Sequence, residues 1–448
     1  MDYGSFILNK QYRVKGEGIK PSFLPDYLFD FQKYIVEKSL VNGRFADFAD
    51  CGMGKTIMQL VWAENIVRHT NKPVLVLSPL SISHQTVREA EKFGLEAVNS
   101  RDGKIKKGII TANYERLEKF DFSVFGGVVC DESSIIKNAK GQIRNALTSA
   151  MKTVPYRLLC TATAAPNDFI ELGTSSELLG YLGYVDMLSH FFKNDEDTIS
   201  PAFYGSKWRF KHHAEVPFWK WLSTWALACR KPSDLGFKDG EFVLPELIEE
   251  DHIIKTERKK GVLRNPPVKG WRETREDTKE TIKERCDKAA ELLQKEQCGI
   301  AWCNYNSESE YLNSILKDGV EVTGSDSDEK KEEIFQDFQK GVVKYLITKP
   351  KIAGFGMNWQ HCSTMTYFTD YSYEKKYQSV RRCYRFGQEK EVTVHNITTD
   401  RQRHILERVK QKEADCVRMF EEIIQYMESK YFHKQNRINS TIELPKWI

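Results

Sequence analysis

Short apolar runs alternate with segments of helical periodicity along most of the chain. One series comprises PVLVLSP from Pro73, GIITAN from Gly108, GGVVCDE from Gly126 and RLLCTAT from Arg157. A second comprises CGIAWCN from Cys298, KYLIT from Lys344, TMTYFTD from Thr364 and VTVHNI from Val392. Continuous apolar strands separated by helices are the pattern of parallel sheets covered on both faces. Two such series predict an α/β fold with two parallel-sheet lobes. From about Phe169 to Asp287 the strand pattern lapses, and the chain turns aromatic and then charged, with NPPVKG at Asn265 read as a loop. After about Thr399 the segment RQRHILERVKQKEADCVRMFEEIIQYMESKYF predicts a long helix packed on a lobe as a brace. The expected organisation is a first lobe over 1–176, a mainly helical insertion and charged linker over 177–280, a second lobe over 281–400 and a C-terminal helix and tail over 401–448.

The stretch FADFADCGMGKTIMQL, from Phe45, places a glycine-rich turn between an apolar run and a helix. The pattern G-x-x-x-x-G-K-[ST] is met at Gly54, Lys55 and Thr56, with Ala49 in place of the first glycine. A loop of this kind, with Gly52 and Gly54 freeing its backbone, wraps phosphate with N–H groups at a helix N-terminus. Lys55 then reaches the terminal phosphates and Thr56 faces Mg²⁺. GGVVCDESSIIKN supplies an apolar strand ending in Asp131, the carboxylate that would hold the metal, followed by Glu132, placed to orient and deprotonate an attacking water. Taken alone, that second motif also suits a strand stopping at an acidic turn. Together the two motifs predict ATP and Mg²⁺ as ligands.

In order along the chain, further segments carry a resemblance. They are FQKYIVEKSL with Gln32, VLVLSPLSISHQ, ITANYERL, DESS, TATAAPND, VTGSDSDEKKEEIFQDFQKG, GFGMNW with Gly356, and QSVRRCYRFGQ with Gln378, Arg382, Arg385, Gly387 and Gln388. From about Leu28 to Asn396 the chain resembles the superfamily-2 helicases, nearest the Swi/Snf-type, chromatin-remodeller-like ATPases and their compact phage-carried versions. The resemblance implies two tandem RecA-like lobes, ATP hydrolysis in the cleft between them, and adenine reading through Gln32. It also implies that Gly356 and Gln378 help bind nucleotide, that Arg385 is the arginine finger, and that Arg382 is its close helper. A guanidinium suits charge gathering on a γ-phosphate, and two arginines three apart on a helix can point one way. Departures are Ser133 and Ser134 after the acidic pair, Ala162 where remodellers commonly have glycine, and Gln85 near the place of the usual tryptophan of motif Ia.

The same resemblance implies a groove following nucleic-acid phosphates, lined by Ser78 and Pro79, Asn113 and Tyr114, Tyr305 and Asn306, Thr323 and Gly324, and Lys351. Individually each suits a loop or turn as well. In VPFWKWLSTWALACRKPSDLGF, the residues Phe218, Trp221, Leu222 and Trp225 form an amphipathic stripe read as core, which leaves Trp219 as the candidate for exposure. The neighbouring His212 and His213 lack further metal ligands and read as surface. The basic stretch KTERKKGVLRNPPVKG reads as a solvated loop, with contact to backbone phosphate as the alternative.

Composition changes this picture little. The chain has 448 residues, 40% apolar and 29% charged, with net charge +4 from 67 basic and 63 acidic residues, so an anionic partner must be met by local basic surface. Its ten cysteines are scattered without C-x-x-C and read as buried thiols. No run approaches the roughly 18–20 apolar residues of a membrane span, and MDYGSFILNKQYRV does not read as a signal peptide. A cytoplasmic protein is expected, in the host cytoplasm if phage-encoded. Three functions remain open: a DNA-stimulated ATPase translocating on duplex DNA, a strand-separating DNA or RNA helicase, and an ATP-gated nucleic-acid clamp of a defence or repair system.

Overall fold

Continuous, mostly apolar runs form strands buried along nearly their whole length, and both series do so here, with Thr393 part-exposed. The computed structural model describes residues 18–79, 83–138, 141–194, 208–257, 265–353 and 357–431. The chain divides into two compact units, Met1–Asp239 with Asp415–Ile448, and Gly240–Ala414.

The first unit contains β1 (Arg44–Ala49), β2 (Val74–Ser78), β3 (Ala97–Asn99), β4 (Ile109–Asn113), β5 (Gly127–Asp131), β6 (Tyr156–Cys160), β7 (Phe192–Asn194), β8 (Trp208–Phe210) and β9 (Ala226–Cys229). Its helices are α1 (Asp30–Asn42), α2 (Lys55–Thr70), α3 (Ser83–Lys92), α4 (Gln142–Met151), α5 (Leu172–Leu179), α6 (Tyr184–Phe191) and α7 (Glu215–Leu222). Seven strands form one sheet in the order β3-β4-β2-β5-β6-β1-β9, and every pairing is parallel. Strands β2, β4, β5 and β6 are buried along their whole length. Helix α2 lies so near β5 that a β-carbon on Gly127 would stand 3.1 Å from both Trp62 and Ile66. A β-carbon there would oblige those side chains to give by a few tenths of an ångström.

The second unit contains β10 (Leu247–Ile254), β11 (Gly299–Trp302), β12 (Gly319–Glu321), β13 (Tyr345–Thr348), β14 (Thr364–Phe368) and β15 (Val392–Thr399). Its helices are α8 (Gly270–Glu280), α9 (Ile282–Leu293), α10 (Asn306–Ile315), α11 (Asp328–Gln339), α12 (Pro350–Ala353), α13 (Tyr373–Val380) and the start of α14 (Arg403–Tyr431), whose remainder falls in the first unit. The six-stranded parallel sheet runs β10-β15-β14-β11-β13-β12. One core gathers Trp302, Phe335, Phe338 and Trp359, and another gathers Leu293, Leu312, Ile347 and Phe368. These two parallel α/β sheets have the architecture expected of tandem RecA-like lobes.

The strand pattern does not lapse between the two series. Residues 177–280 supply β9 to the first sheet, β10 to the second and the antiparallel pair β7-β8. Strand β10 reads LIEEDHII, and at the sheet's edge its polar residues stay in solvent contact, which hides it from a search for apolar runs. Trp219 is another correction. It is fully buried in a cluster with Phe169, Phe210 and Phe218, while Trp221 is only half-buried. The short helix α7 is enclosed on more than the face its stripe defines. His212 and His213 are exposed, eight of the ten cysteines are buried, and all ten are free. Among the described residues no helix is long and apolar enough to cross a membrane.

Two buried carboxylates fix the helices of the second unit. Asp277 in α8 accepts from the Thr399 hydroxyl at 2.6 Å, the Gln402 amide at 2.8 Å and the Arg401 guanidinium at 3.1 Å. Glu308 in α10, fully buried, pairs with Arg285 of α9 at 2.7 Å. Its other oxygen accepts from the backbone N–H of Asn304 at 2.8 Å and of Tyr305 at 3.0 Å, which caps α10. Removing one partner of such a pair leaves a buried charge uncompensated. Glu308→Ala is therefore expected to lower the stability of the second unit by ~3–5 kcal/mol. The Trp fluorescence midpoint in denaturant checks this, and an unshifted midpoint contradicts the assignment.

Candidate nucleotide site

Parallel strands bring their C-terminal ends to one edge of a sheet, and the order β5-β6-β1 sets the acidic end of β5, expected from sequence, one strand away from β1. Asp131 of β5 and Asp47 of β1 each pair in register with Cys160 of β6. The chain leaves β1 through Asp50, Cys51, Gly52, Met53 and Gly54 and enters α2 at Lys55. Gly52 and Gly54 have φ of 90° and 80°, a left-handed conformation that costs glycine little. A β-carbon on Gly54 would come within 2.3 Å of Gln32 Nε2, so the loop is closed down on α1.

Gln32 ties that loop in place. Its Oε1 accepts from Phe29 N–H at 3.1 Å and its Nε2 donates to the Met53 carbonyl at 3.0 Å. An amide retains a second lone pair and a second proton, so contact with a ligand remains open to it. Lys55 folds back on the loop, its ammonium donating to the carbonyls of Ala49 at 2.9 Å and Asp50 at 3.1 Å. Burial depresses an ammonium, but Cys51, Glu132, Asp50 and Asp131 outweigh it and hold the Lys55 pKa above its ordinary value. The lysine is thus a fixed positive charge on a loop free to exchange its carbonyl acceptors.

Asp131 is buried, accepts from Gln59 Nε2 at 2.7 Å, and has its pKa raised by that burial against the pull of Gln59 and Lys55. Gln59 follows Lys55 by one helical turn, which puts both on the face of α2 turned to the strand end. Glu132 then adopts φ 47° and ψ 50°, unusual for a residue with a β-carbon. This turn sends consecutive carboxylates different ways, Asp131 to Gln59 and Glu132 to Thr161, whose hydroxyl donates to Oε2 at 3.3 Å. Sites of this kind store strain of ~1–3 kcal/mol where function fixes geometry. The acidic pair and TATAAPND are therefore linked through Thr161. Thr56 is half-buried in the first turn of α2.

Glycine cradle, helix N-terminus, ammonium and two carboxylates fit a triphosphate. The oxygen donors of Asp131 and Thr56 fit Mg²⁺, a hard cation bound by few protein ligands. Two residues here escaped the sequence reading, Gln59 and Asp47. The latter carboxyl is 1% exposed and accepts from Ala49 N–H at 3.1 Å. A carboxylate inside an apolar strand was the available signal.

In the second unit the arginines do not share a helix, because α13 ends at Val380. They converge nonetheless. Arg382 Nη1 donates to the Met357 carbonyl at 3.2 Å, and Arg385 Nη1 reaches the same oxygen at 3.4 Å. Arg382 Nε also donates to the Gln378 carbonyl at 2.9 Å, and the Arg382 carbonyl accepts from Trp359 N–H at 2.8 Å. Gln388 locks the turn by donating to the carbonyls of Cys362 at 3.1 Å and Cys383 at 3.2 Å. Gln378 is buried in α13, and Gly356 lies outside the described residues.

The expected nucleic-acid residues divide by burial. Ser78 and Asn113 are buried at the ends of β2 and β4. Tyr114 is 1% exposed and donates its hydroxyl to the Asp131 carbonyl at 2.7 Å, so it supports the acidic strand end and lines no surface. Pro79 is half-buried after β2. Asn306 begins α10, and its amide oxygen accepts from Lys349. Thr323 is held by Asp326 at 2.7 Å, and Gly324 is exposed beside it. Tyr305 and Lys351 line a cavity of about 270 Å³ with Trp271, Tyr371 and Lys375.

Asp47 generates a pH test. Burial pushes its carboxyl from 3.8 up to about 6, against the opposing effects of Lys55 and the Ala49 N–H. Between those values the folded chain holds a proton that the unfolded chain has released, so wild-type stability falls as pH rises through the window. Asp47→Asn lacks this loss. Its stability advantage is expected to open between about pH 4 and pH 6 and to level near ~3 kcal/mol. Denaturant midpoints from pH 4 to pH 7 check it, and a pH-independent difference contradicts it.

No family model matches the chain. It is similar to the "uncharacterized ATP-dependent helicase YqhH" of Bacillus subtilis (strain 168), 24% identical over 459 residues, covering 90% of this chain and 80% of that protein. It is also similar to the "DNA repair and recombination protein RAD54-like" of Gallus gallus, 26% identical over 148 residues, or 32% of this chain and 17% of that one. Among solved structures, the Sulfolobus solfataricus SWI2/SNF2 ATPase core in complex with dsDNA aligns at 18% identity with a TM-score of 0.44, covering 85% of this chain and 90% of that one. The likeness that spans most of the chain is thus to a protein named an ATP-dependent helicase, at 24% identity.

Proposed function

We propose that this chain is a DNA-stimulated ATPase that couples Mg-ATP hydrolysis to translocation on duplex DNA. The observation that carries the reading is the convergence of Lys55, Asp131 and Glu132 on one glycine-capped helix end. Lys55 leaves the Ala49 and Asp50 carbonyls to contact the β- and γ-phosphates. Asp131 and Thr56 hold Mg²⁺, which supplies charge neutralisation on those phosphates when bound. Glu132, pinned by Thr161, orients the attacking water and accepts its proton. Arg385 acts as the arginine finger, with Arg382 holding the same turn against Met357. Gln32 sets the height of the phosphate loop and has capacity left for the base. Tyr305, Asn306, Thr323, Gly324 and Lys351 supply contacts to a nucleic-acid backbone, where sequence-neutral binding suits a motor.

The name of the Bacillus subtilis relative, a helicase, favours a second reading, strand separation. Hydrolysis measured without nucleic acid and with single-stranded DNA, duplex DNA or RNA separates the two. Highest stimulation by duplex is expected, with displacement of a third strand from a triplex and none from a simple duplex. Preference for single strands with duplex unwinding contradicts translocation.

Three substitutions test the chemistry. Lys55→Ala is expected to abolish turnover in a folded chain. Glu132→Gln is expected to bind Mg-ATP and stall before hydrolysis, and retained turnover misassigns the base. Arg385→Ala is expected to keep nucleotide binding while losing ~10³–10⁵ in hydrolysis rate. Normal single-turnover hydrolysis by that variant contradicts its role.

A further inference from the structure

Strand β10 is the outer strand of the second sheet, and residues two apart on a strand share a face. Glu250 and His252 are such a pair. The register sets Glu250 directly opposite His395 of β15, so its imidazole joins that face. Three side chains distant in sequence converge through sheet pairing alone.

Their geometry is closed. His252 Nε2 lies 3.1 Å from His395 Nδ1, and Glu250 Oε2 lies 3.5 Å from the first and 3.1 Å from the second. The same three atoms make all three contacts. Hydrogen bonding satisfies such a triangle poorly, since each of these ring nitrogens carries at most one proton and directs it to one acceptor. A cation at the centre engages three lone pairs at once. Tetrahedral Zn²⁺ with ligands at ~2.0–2.2 Å sets neighbouring donors roughly 3.3–3.6 Å apart, close to the distances found.

We propose that Glu250, His252 and His395 bind one divalent transition-metal ion of the zinc type, with a fourth position open to solvent. Two imidazoles and a carboxylate are a borderline donor set, which selects such an ion over Mg²⁺. His395 is buried, His252 is half-buried and Glu250 is exposed, so the face beyond the carboxylate is wet. Burial favours the neutral, ligating form of both rings. For His252, Lys288 acts in the same direction while Glu250, Asp251 and Glu291 oppose it. For His395, His252 reinforces the effect and Glu250 and Glu296 oppose it. Lys288 is the positive charge an ion must meet, and it is itself paired with Glu291 at 2.9 Å. A bound ion fastens the edge strand β10 to β15. The site shares no residue with those proposed for Mg-ATP.

The test uses the full chain, stripped of metal and free of nucleotide, titrated with zinc chloride and separately with cobalt chloride. About one equivalent is expected to bind, with a visible cobalt spectrum of tetrahedral intensity and a zinc-dependent rise in melting temperature. His252→Ala and His395→Ala are each expected to weaken binding by at least ~10–100-fold, the loss seen even for outer partners of metal ligands. A His212→Ala/His213→Ala variant controls for the exposed pair and is expected to bind as wild type. Should a histidine variant fail to fold, Glu250→Gln at the exposed carboxylate is expected to fold and lose the tetrahedral cobalt spectrum. Absence of saturable binding, or binding unchanged in His252→Ala and Glu250→Gln, overturns the proposal.

Discussion

The nucleotide site of the first unit is organised by how one ammonium balances negative charge at the end of a buried sheet. Parallel pairing delivers Asp47 and Asp131 on either side of Cys160. Glu132 follows one residue later, and all of this borders an apolar core. Carboxylates so close and so dry are costly unless a cation offsets them. Lys55 does so from the first turn of α2, while its protons rest on the carbonyls of Ala49 and Asp50. Those two carbonyls are weak, replaceable acceptors. A phosphate group, carrying full charge, competes better for those protons than two carbonyls do.

In the second unit the corresponding constraint is on guanidinium groups. Arg382 is buried, and a planar cation there needs acceptors of fixed geometry. The carbonyls of Met357 and Gln378 supply them, and the Trp359 N–H binds the Arg382 carbonyl in return. RRCYRFGQ and the end of GFGMNW thus form one interlocked turn. Gly387, at φ 87°, lets the chain leave it sharply, and Gln388 staples the exit. The Arg385 position is set by backbone on both sides.

Much of this was legible in the sequence because burial and chemistry coincided. All eight runs named from the sequence are strands, since a strand covered on both faces is built mainly from apolar residues. Asp131 and Glu132 stand out because one ends such a run and the other follows it, and Lys55 because a glycine turn opens the helix after β1. Edge strands β3, β9, β10 and β12 were not, being short or half-wet, with little apolar run to read. Trp219 was misjudged because a one-sided stripe says nothing of a second layer covering the other side of α7. Tyr114 looked like a groove residue from its motif, and only strand order shows its hydroxyl meeting the Asp131 carbonyl. The pairing of His252 with His395 depends on the β10-β15 register, which no local pattern encodes.

The most direct measurement of this account is a structure of the chain with a non-hydrolysable ATP analogue, Mg²⁺ and duplex DNA. The account predicts that Lys55 Nζ has left the Ala49 and Asp50 carbonyls for the β- and γ-phosphate oxygens, with the metal between Thr56 and Asp131. Nucleotide bound while Lys55 remains on those two carbonyls, or phosphates seated away from the Gly52–Gly54 turn, contradicts it.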